Sequence, residues 1–351
     1  MRTCLVVALT VVVSVGCKGS SQTPNDGGPA DTANDHLVGP EINLGGGGGD
    51  AADGRDGADA PPACTGPRCP IVLATDSNPA CCVVADGTYV YWASYSAGSV
   101  YPINRVLAAG GAPEYFESSD FIIDDMVIKD GALYWAASNG IFRRDLAGAR
   151  GSATKIGSGS PNYGSIGVDS NFVYWADVAG TRIHKTPVAG GTTVDFATTT
   201  QAQYVATDGT NVYWSDQDLQ GGAFVTAPVG GGTPTVLAMD LSNPGDIVVD
   251  ATNVYFANSS TLFGTKFWKV PRGGGTPVMV ALSPDFATYE IAVDATDIYW
   301  AAYNKIGKAP IGGGSVTTFA TGQEGAMSIA VDASNVYWLN TDGGALMKLA
   351  K

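Results

Sequence analysis

One dipeptide recurs along this chain, and its spacing restricts the fold more than any other feature. Tyr followed by Trp, after a β-branched residue or Leu, stands at Tyr91-Trp92, Tyr134-Trp135, Tyr174-Trp175, Tyr213-Trp214, Tyr299-Trp300 and Tyr337-Trp338, with Tyr255-Phe256 as a variant. Successive copies lie 43, 40, 39, 42, 44 and 38 residues apart, the length of a four-stranded blade rather than of a helical repeat. Unit six reads as strands over 291–293, 297–301, 305–310 and 316–320, with Gly312 to Gly314 turning the third strand into the fourth. Glycine tolerates the positive φ that such hairpins need. Neighbouring residues of a strand project to opposite faces, so an adjacent Tyr and Trp suit a sheet buried on both sides between two other sheets. The prediction is an all-β, seven-bladed β-propeller of four-stranded blades. The seventh unit ends after three strands, while Pro70 to Thr75 (PIVLAT) matches the fourth-strand segments TPTVLAM and TPVMVAL. The N-terminal strand is therefore expected to complete the last blade and close the ring, which removes exposed sheet edges.

The part before the repeats has other properties. Residues 1–16 combine Arg2, an apolar run from Leu5 to Val13 and small residues before Cys17. This is the pattern of a signal peptide, too short for a lasting membrane span. Ser14-Val15-Gly16-Cys17 resembles a bacterial lipobox, which implies acylation of Cys17 and a membrane anchor. Residues 17–63 are Gly, Asp, Ala, Pro and Ser, and cannot bury enough apolar surface to offset chain entropy. They read as a tether, and 64–351 as the propeller. The expected location is the cell envelope of an exporting cell, outer-membrane-anchored, periplasmic or on the cell surface.

With Cys4 removed and Cys17 acylated, Cys64, Cys69, Cys81 and Cys82 remain. An exported compartment permits disulfides. A vicinal Cys81–Cys82 bond strains a short ring, so two bridges reaching from Cys64 and Cys69 are expected, bracing the ring closure. The spacing suits zinc poorly and no histidine is near.

The net charge of -14 repels phosphate backbones, which argues against nucleic-acid binding. The two histidines, His36 in the linker and His184 in a strand, cannot build a Ser-His-Asp triad or a multi-histidine metal site. The Gly-rich segments open no helix and lack the Gly-Lys-Ser/Thr of a phosphate loop.

The segments VYWAD (173–177) and VYWSD (212–216) resemble the YWTD repeats of lipoprotein-receptor propellers, and the Gly-Gly-Thr-Pro turns resemble those of bacterial propeller lipoproteins and the TolB-like superfamily. The resemblance spans residues 70–351 and implies architecture. Only Asp177 and Asp216 occupy the aspartate position of that motif.

Two faces remain to carry chemistry. Each turn between first and second strands bears an acid: Asp86, Asp130, Asp169, Asp208, Asp250, Asp294 and Asp332. Asp before Ala-Thr-Asn or Gly-Thr-Asn is what a tight turn requires, because its carboxylate accepts backbone N–H groups, so these are read as structural. The opposite loops vary in length and content, as recognition loops do. They are expected to hold a ligand site from Asp120, Asp124, Asp125, Asp177, Asp216, Asp218, Asp246, Tyr163, Tyr204, Tyr289 and Tyr303, with Asp285, Glu290 and Glu324 nearby. The expected function is a non-enzymatic binding or scaffolding module for a protein, peptide or glycan, acting as a monomer. Two alternatives are a calcium-dependent hydrolase or lyase with carboxylates at the central channel, and a structural subunit of an envelope assembly. No cofactor is implied, and calcium is the one candidate.

Overall fold

The structure, a computed structural model, describes residues 69–351 except 77, 96–99, 162–163, 178, 261–263 and 286–287 and the side chains of 80, 288 and 289. The signal segment, Cys17, the linker, Cys64 and Tyr163 lie outside the described residues.

Seven four-stranded antiparallel sheets follow one another along the chain. In six of them the strands run from inside to outside in chain order, and in the seventh the first three do. The seven innermost strands are Pro79–Ala85, Ile123–Lys129, Gly167–Val168, Ala202–Thr207, Pro244–Val249, Thr288–Val293 and Ala326–Val331, each beside the next and the last beside the first. This is the predicted seven-bladed propeller, and the blades are numbered 1 to 7 in that order. Ile71–Thr75 is the outermost strand of blade 7, paired with Ala345–Ala350 through Ile71 opposite Lys348 and Thr75 opposite Ala345. The ring thus closes with a strand from the far end of the sequence. Among the described residues the single helical element is a three-residue 3-10 turn, Leu219–Gly221.

The Tyr-Trp pairs build the core as their alternation requires. At each of the seven blade junctions the Tyr of one blade shares an apolar cluster with the Trp (Phe256 in blade 5) of the next, from Tyr91 with Trp135 round to Tyr337 with Trp92. All are 0–3% exposed. Burying a large apolar side chain contributes about 1.5–3 kcal/mol, so fourteen such residues account for a ring with no central core. The residue facing the Trp from the third strand varies, being Phe142 stacked 5.5 Å from Trp135 in blade 2 and Gly307 in blade 6. A Cβ at Gly307 would sit 2.3 Å from the Trp300 ring, so only glycine fits there.

The innermost strands begin earlier than alternation suggests. That of blade 6 starts at Thr288 rather than 291, and that of blade 7 starts at the corresponding early position, Ala326. A β-bulge interrupts the register in both, between Thr288 and Ile291 and between Ala326 and Ile329, and an extra residue on one strand erases the period of two.

Candidate functional site

The acids of the inner turns are absorbed by the fold. In blade 5, Asp250 Oδ1 accepts the N–H groups of Thr252 and Asn253, both at 2.7 Å, and Oδ2 accepts the Tyr255 hydroxyl at 2.9 Å. The same clasp of two N–H groups and the repeat tyrosine recurs at Asp86, Asp169, Asp208, Asp294 and Asp332. Burial alone would raise Asp250, but the Asn253 and Thr252 N–H groups and the Tyr255 hydroxyl outweigh it and hold the carboxyl below its usual range. Asp294 is likewise lowered against burial, with Lys351 the strongest partner. Blade 2 is the exception. Its turn is one residue shorter, Asp130 and Gly131 have φ of 47° and 76°, and the clasp is replaced by a tight hairpin of the Asp-Gly kind.

A second ring of side chains runs round the innermost strands, six of its seven members at a β-bulge. The residues are Cys82, Asp125, Ser165, Tyr204, Asp246, Glu290 and Ser328, one per blade. In five of seven steps a side-chain oxygen accepts the N–H that follows the equivalent position of the next blade: Asp125 from Ile166 (2.8 Å), Ser165 from Val205 (3.1 Å), Asp246 from Ile291 (3.0 Å), Glu290 from Ile329 (3.1 Å) and Ser328 from Val83 (2.8 Å). The bulge exposes the N–H and the preceding blade satisfies it, so the belt laces neighbouring blades together. Cys82 and Tyr204 make the two steps without such a bond.

Three of these side chains are carboxyls, and their electrostatics run opposite to those of the turns. Burial, followed by the charge of Asp246, pushes Glu290 up to about 7. Asp246 rises to about 6 through burial, against the Ile291 and Ile247 N–H groups. Burial and the repulsion of Glu290 drive Asp125 well above the carboxylate range. Asp124, beside it, rises to about 7 by burial, and its Oδ2 is buried without a partner. Burial and the charges of Asp246, Glu290 and Asp125 raise the Tyr204 phenol. These carboxyls hold their protons to higher pH than ordinary acids, and a protonated carboxyl donates as well as accepts hydrogen bonds.

The cysteine pairing differs from the expected one. Cys81 and Cys82 are bonded to each other, within the blade 1 end of this belt. The strain against such a pair is met by a bulge on each side of Cys81 and by Cys82 at φ 56°, a left-handed conformation inside a strand. Their sulfurs lie 3.0 and 3.3 Å from the carbonyl oxygens of Ile123 and Asp124 in blade 2. A bond between sequence neighbours cannot tie the ring closure, so bridges from this pair to Cys64 and Cys69 are excluded. Cys69 is itself disulfide-bonded.

The remaining predicted residues separate. Asp124, Asp125, Asp246 and Tyr204 come together in the channel wall. Tyr289 is in the innermost strand of blade 6, with its side chain outside the description. Asp120 and Asp218 are exposed on the loop side, and Tyr303, 58% exposed, donates its hydroxyl to Asp342. Asp177 is engaged locally by the N–H groups of Thr181 and Arg182. Asp216, expected in the ligand site, is not available on the loop surface. It is fully buried and accepts from Thr199, Thr200, Gln201, Asp218 and Leu219, which pins two loops to the end of the Trp214 strand. Burial raises it, yet the Thr199 and Thr200 hydroxyls and the backbone donors leave it below the usual range.

No protein-family model matches the chain, and no curated protein matches it. Solved structures do. The chain is similar to a crystal structure of a nidogen/laminin complex (TM-score 0.51, 17% identity, covering 62% of this chain and 88% of that one). It is also similar to a catalytically inactive virginiamycin B lyase from Staphylococcus aureus with quinupristin (TM-score 0.63, 13% identity, 80% and 98%) and to a structure described as a putative TolB from Agrobacterium tumefaciens (TM-score 0.49, 17% identity, 68% and 94%). The first two likenesses, at 17% and 13% identity, show the fold alone, that of a β-propeller.

Proposed function

We propose that the chain is a non-enzymatic binding propeller, held at the cell envelope by an acylated Cys17 and using its loop face to bind a protein, peptide or glycan. The observation that carries this reading is the contrast between faces. Six of seven turn aspartates are consumed by local hydrogen bonds, whereas the loop side exposes Asp120, Asp218, Phe121 and Tyr303. The nidogen/laminin complex holds a similar fold in company with another protein, which supports a macromolecular partner. The test is a glycan and peptide array probed with the mature chain, followed by Asp120→Asn/Asp218→Asn and, on the turn face, Asp130→Asn. The loop variant is expected to weaken the ligand at least tenfold with Asp130→Asn unchanged. The reverse pattern would place the working face on the wrong side. Mass spectrometry of the native N-terminus tests the anchor, and an unmodified terminus other than Cys17 would defeat it.

One observation favours an enzymatic second reading: Asp124 and Glu290 at about 7 stand where general acids operate. Among the described residues no three of His, Cys, Asp or Glu converge to hold a metal ion, so the calcium form of this reading requires the carboxyls to rearrange. A calcium-dependent rise in melting temperature at pH 8 that Glu290→Gln abolishes would support it, and no response would remove it.

A further inference from the structure

The Cys81–Cys82 bond does little of what a disulfide usually does for a fold. A bond between chain neighbours closes almost no loop, so it withdraws little freedom from the unfolded chain. Its backbone demands are large by comparison. Among the described residues Cys82 is the one non-glycine residue with a positive φ, 56°, inside a strand, and a β-bulge stands on either side of Cys81. A strained conformation that contributes little to stability points to a role for the bond itself.

The surroundings suit the opened pair as well as the closed one. The two sulfurs lie 3.0 Å from the carbonyl oxygen of Ile123 and 3.3 Å from that of Asp124, both across the seam in blade 2. A disulfide sulfur carries no hydrogen, so in the bonded pair these are contacts without a donor. A thiol has one S–H. Reduction therefore places two donors in front of two carbonyls already within reach, replacing a bond inside blade 1 by hydrogen bonds between blades 1 and 2. The belt holds a precedent at the position equivalent to Cys82 in blade 3, where the Ser165 hydroxyl donates to the Val205 carbonyl of blade 4 at 3.3 Å.

We propose that Cys81–Cys82 is a thiol–disulfide exchange site, opened in the folded chain by a dithiol reductant and closed again by a disulfide oxidant. Cys81 is partly exposed whereas Cys82 is 3% exposed, so the incoming thiolate meets the Cys81 sulfur. It bonds to Cys81 Sγ as the S–S bond breaks, and Cys82 leaves with the electron pair. The second thiolate of the reductant then displaces Cys81 and closes the reductant's own disulfide. Two electrons pass to the protein, and each cysteine sulfur takes up one proton from water. The two thiols donate to Ile123 and Asp124 and hold blade 1 to blade 2. The exchange site is independent of the binding reading.

The mature chain is titrated with mixtures of reduced and oxidised dithiothreitol, with near-ultraviolet circular dichroism reporting the fold. Free thiols are trapped with N-ethylmaleimide in denaturant after an acid quench and located by peptide mass spectrometry. Cys81 and Cys82 are expected to become reactive together and to close again when the mixture is reversed. Tertiary signal should fall no further than it does for Cys81→Ser/Cys82→Ser in the same mixture, since that variant reports the bridge at Cys69 alone. Amide exchange of Ile123–Lys129 reads the seam. The reduced chain and Cys81→Ser/Cys82→Ser both keep two donors and should exchange alike, while Cys81→Ala/Cys82→Ala keeps none and should exchange at least tenfold faster. The proposal is overturned if the pair stays closed until the tertiary signal is lost, or if the reduced chain exchanges as fast as the alanine variant.

Discussion

The propeller carries two rings of acids that share a residue type and little else. The turn ring is local: six of its seven aspartates take two N–H groups and a tyrosine hydroxyl within five residues of themselves, and four of these, Asp208, Asp250, Asp294 and Asp332, are held below the usual carboxylate range. The channel belt is non-local: Asp125, Asp246 and Glu290 each receive an N–H from the next blade, face one another's charge, and are pushed upward. Burial acts in the same direction on both rings. What separates them is the balance: in the turns the donors outweigh a shallower burial, whereas in the belt a deeper burial, joined by like charges at Glu290 and Asp125, outweighs the donors, and that balance decides whether a buried acid is a brace or a proton store.

The sharpest way to extend the comparison is Asp216, a brace on the loop face. Asp216→Ala should destabilise by about 3–5 kcal/mol in chemical denaturation, because it leaves several buried donors unpaired. A loss below about 1 kcal/mol would return Asp216 to the exposed acids.

Within the turn ring, Asp250→Ala is expected to cost about 2–4 kcal/mol, from the lost N–H bonds and the orphaned Tyr255 hydroxyl. Asp130→Asn, in the one turn without a clasp, should stay within about 0.5 kcal/mol, since Asn tolerates φ > 0. Equal losses at both would erase the distinction that blade 2 makes.

The belt predicts the pH dependence. Its folded-state carboxyls keep protons at pH values where the unfolded chain has lost them, so their contribution is whole below about pH 4 and drains away as pH rises through 6 to 7. Asp208, Asp250, Asp294 and Asp332 work oppositely, contributing above about pH 4 and losing that contribution as pH falls. The melting temperature should therefore peak near pH 5 and decline towards pH 8. Glu290→Gln, which keeps the acceptor for Ile329 and removes the charge, should flatten the decline and stabilise at pH 8 by about 1 kcal/mol. A flat wild-type profile between pH 5 and 8 would contradict the belt.

The smallest effect belongs to the vicinal disulfide. It closes almost no loop, so the double variant Cys81→Ser/Cys82→Ser should shift stability by about 1 kcal/mol or less. A loss of several kcal/mol would show that the pair braces the ring after all.

The two rings also differ in how far the sequence reveals them. The blades and the closing strand were legible because Tyr-Trp needs two buried faces and because Pro70 to Thr75 repeats the fourth-strand pattern. The turn aspartates were legible because their partners are neighbours in the chain. The belt was hidden although each member stands nine residues before the Tyr of its repeat, Cys82 before Tyr91 and Glu290 before Tyr299. A backbone bulge unites six of these positions, and no residue type marks a bulge. Asp216 and the cysteine pairing were misread for a related reason: their partners are set by loop packing and backbone twist, which alternation does not report.

The most direct test of the account is a carboxyl-detected 13C NMR titration of the aspartates and glutamates in the folded chain. The account predicts two separate populations, Asp208, Asp250, Asp294, Asp332 and Asp216 titrating below the ordinary range and Asp124, Asp246 and Glu290 titrating near 6 to 7. A single population titrating together near 4 would contradict it.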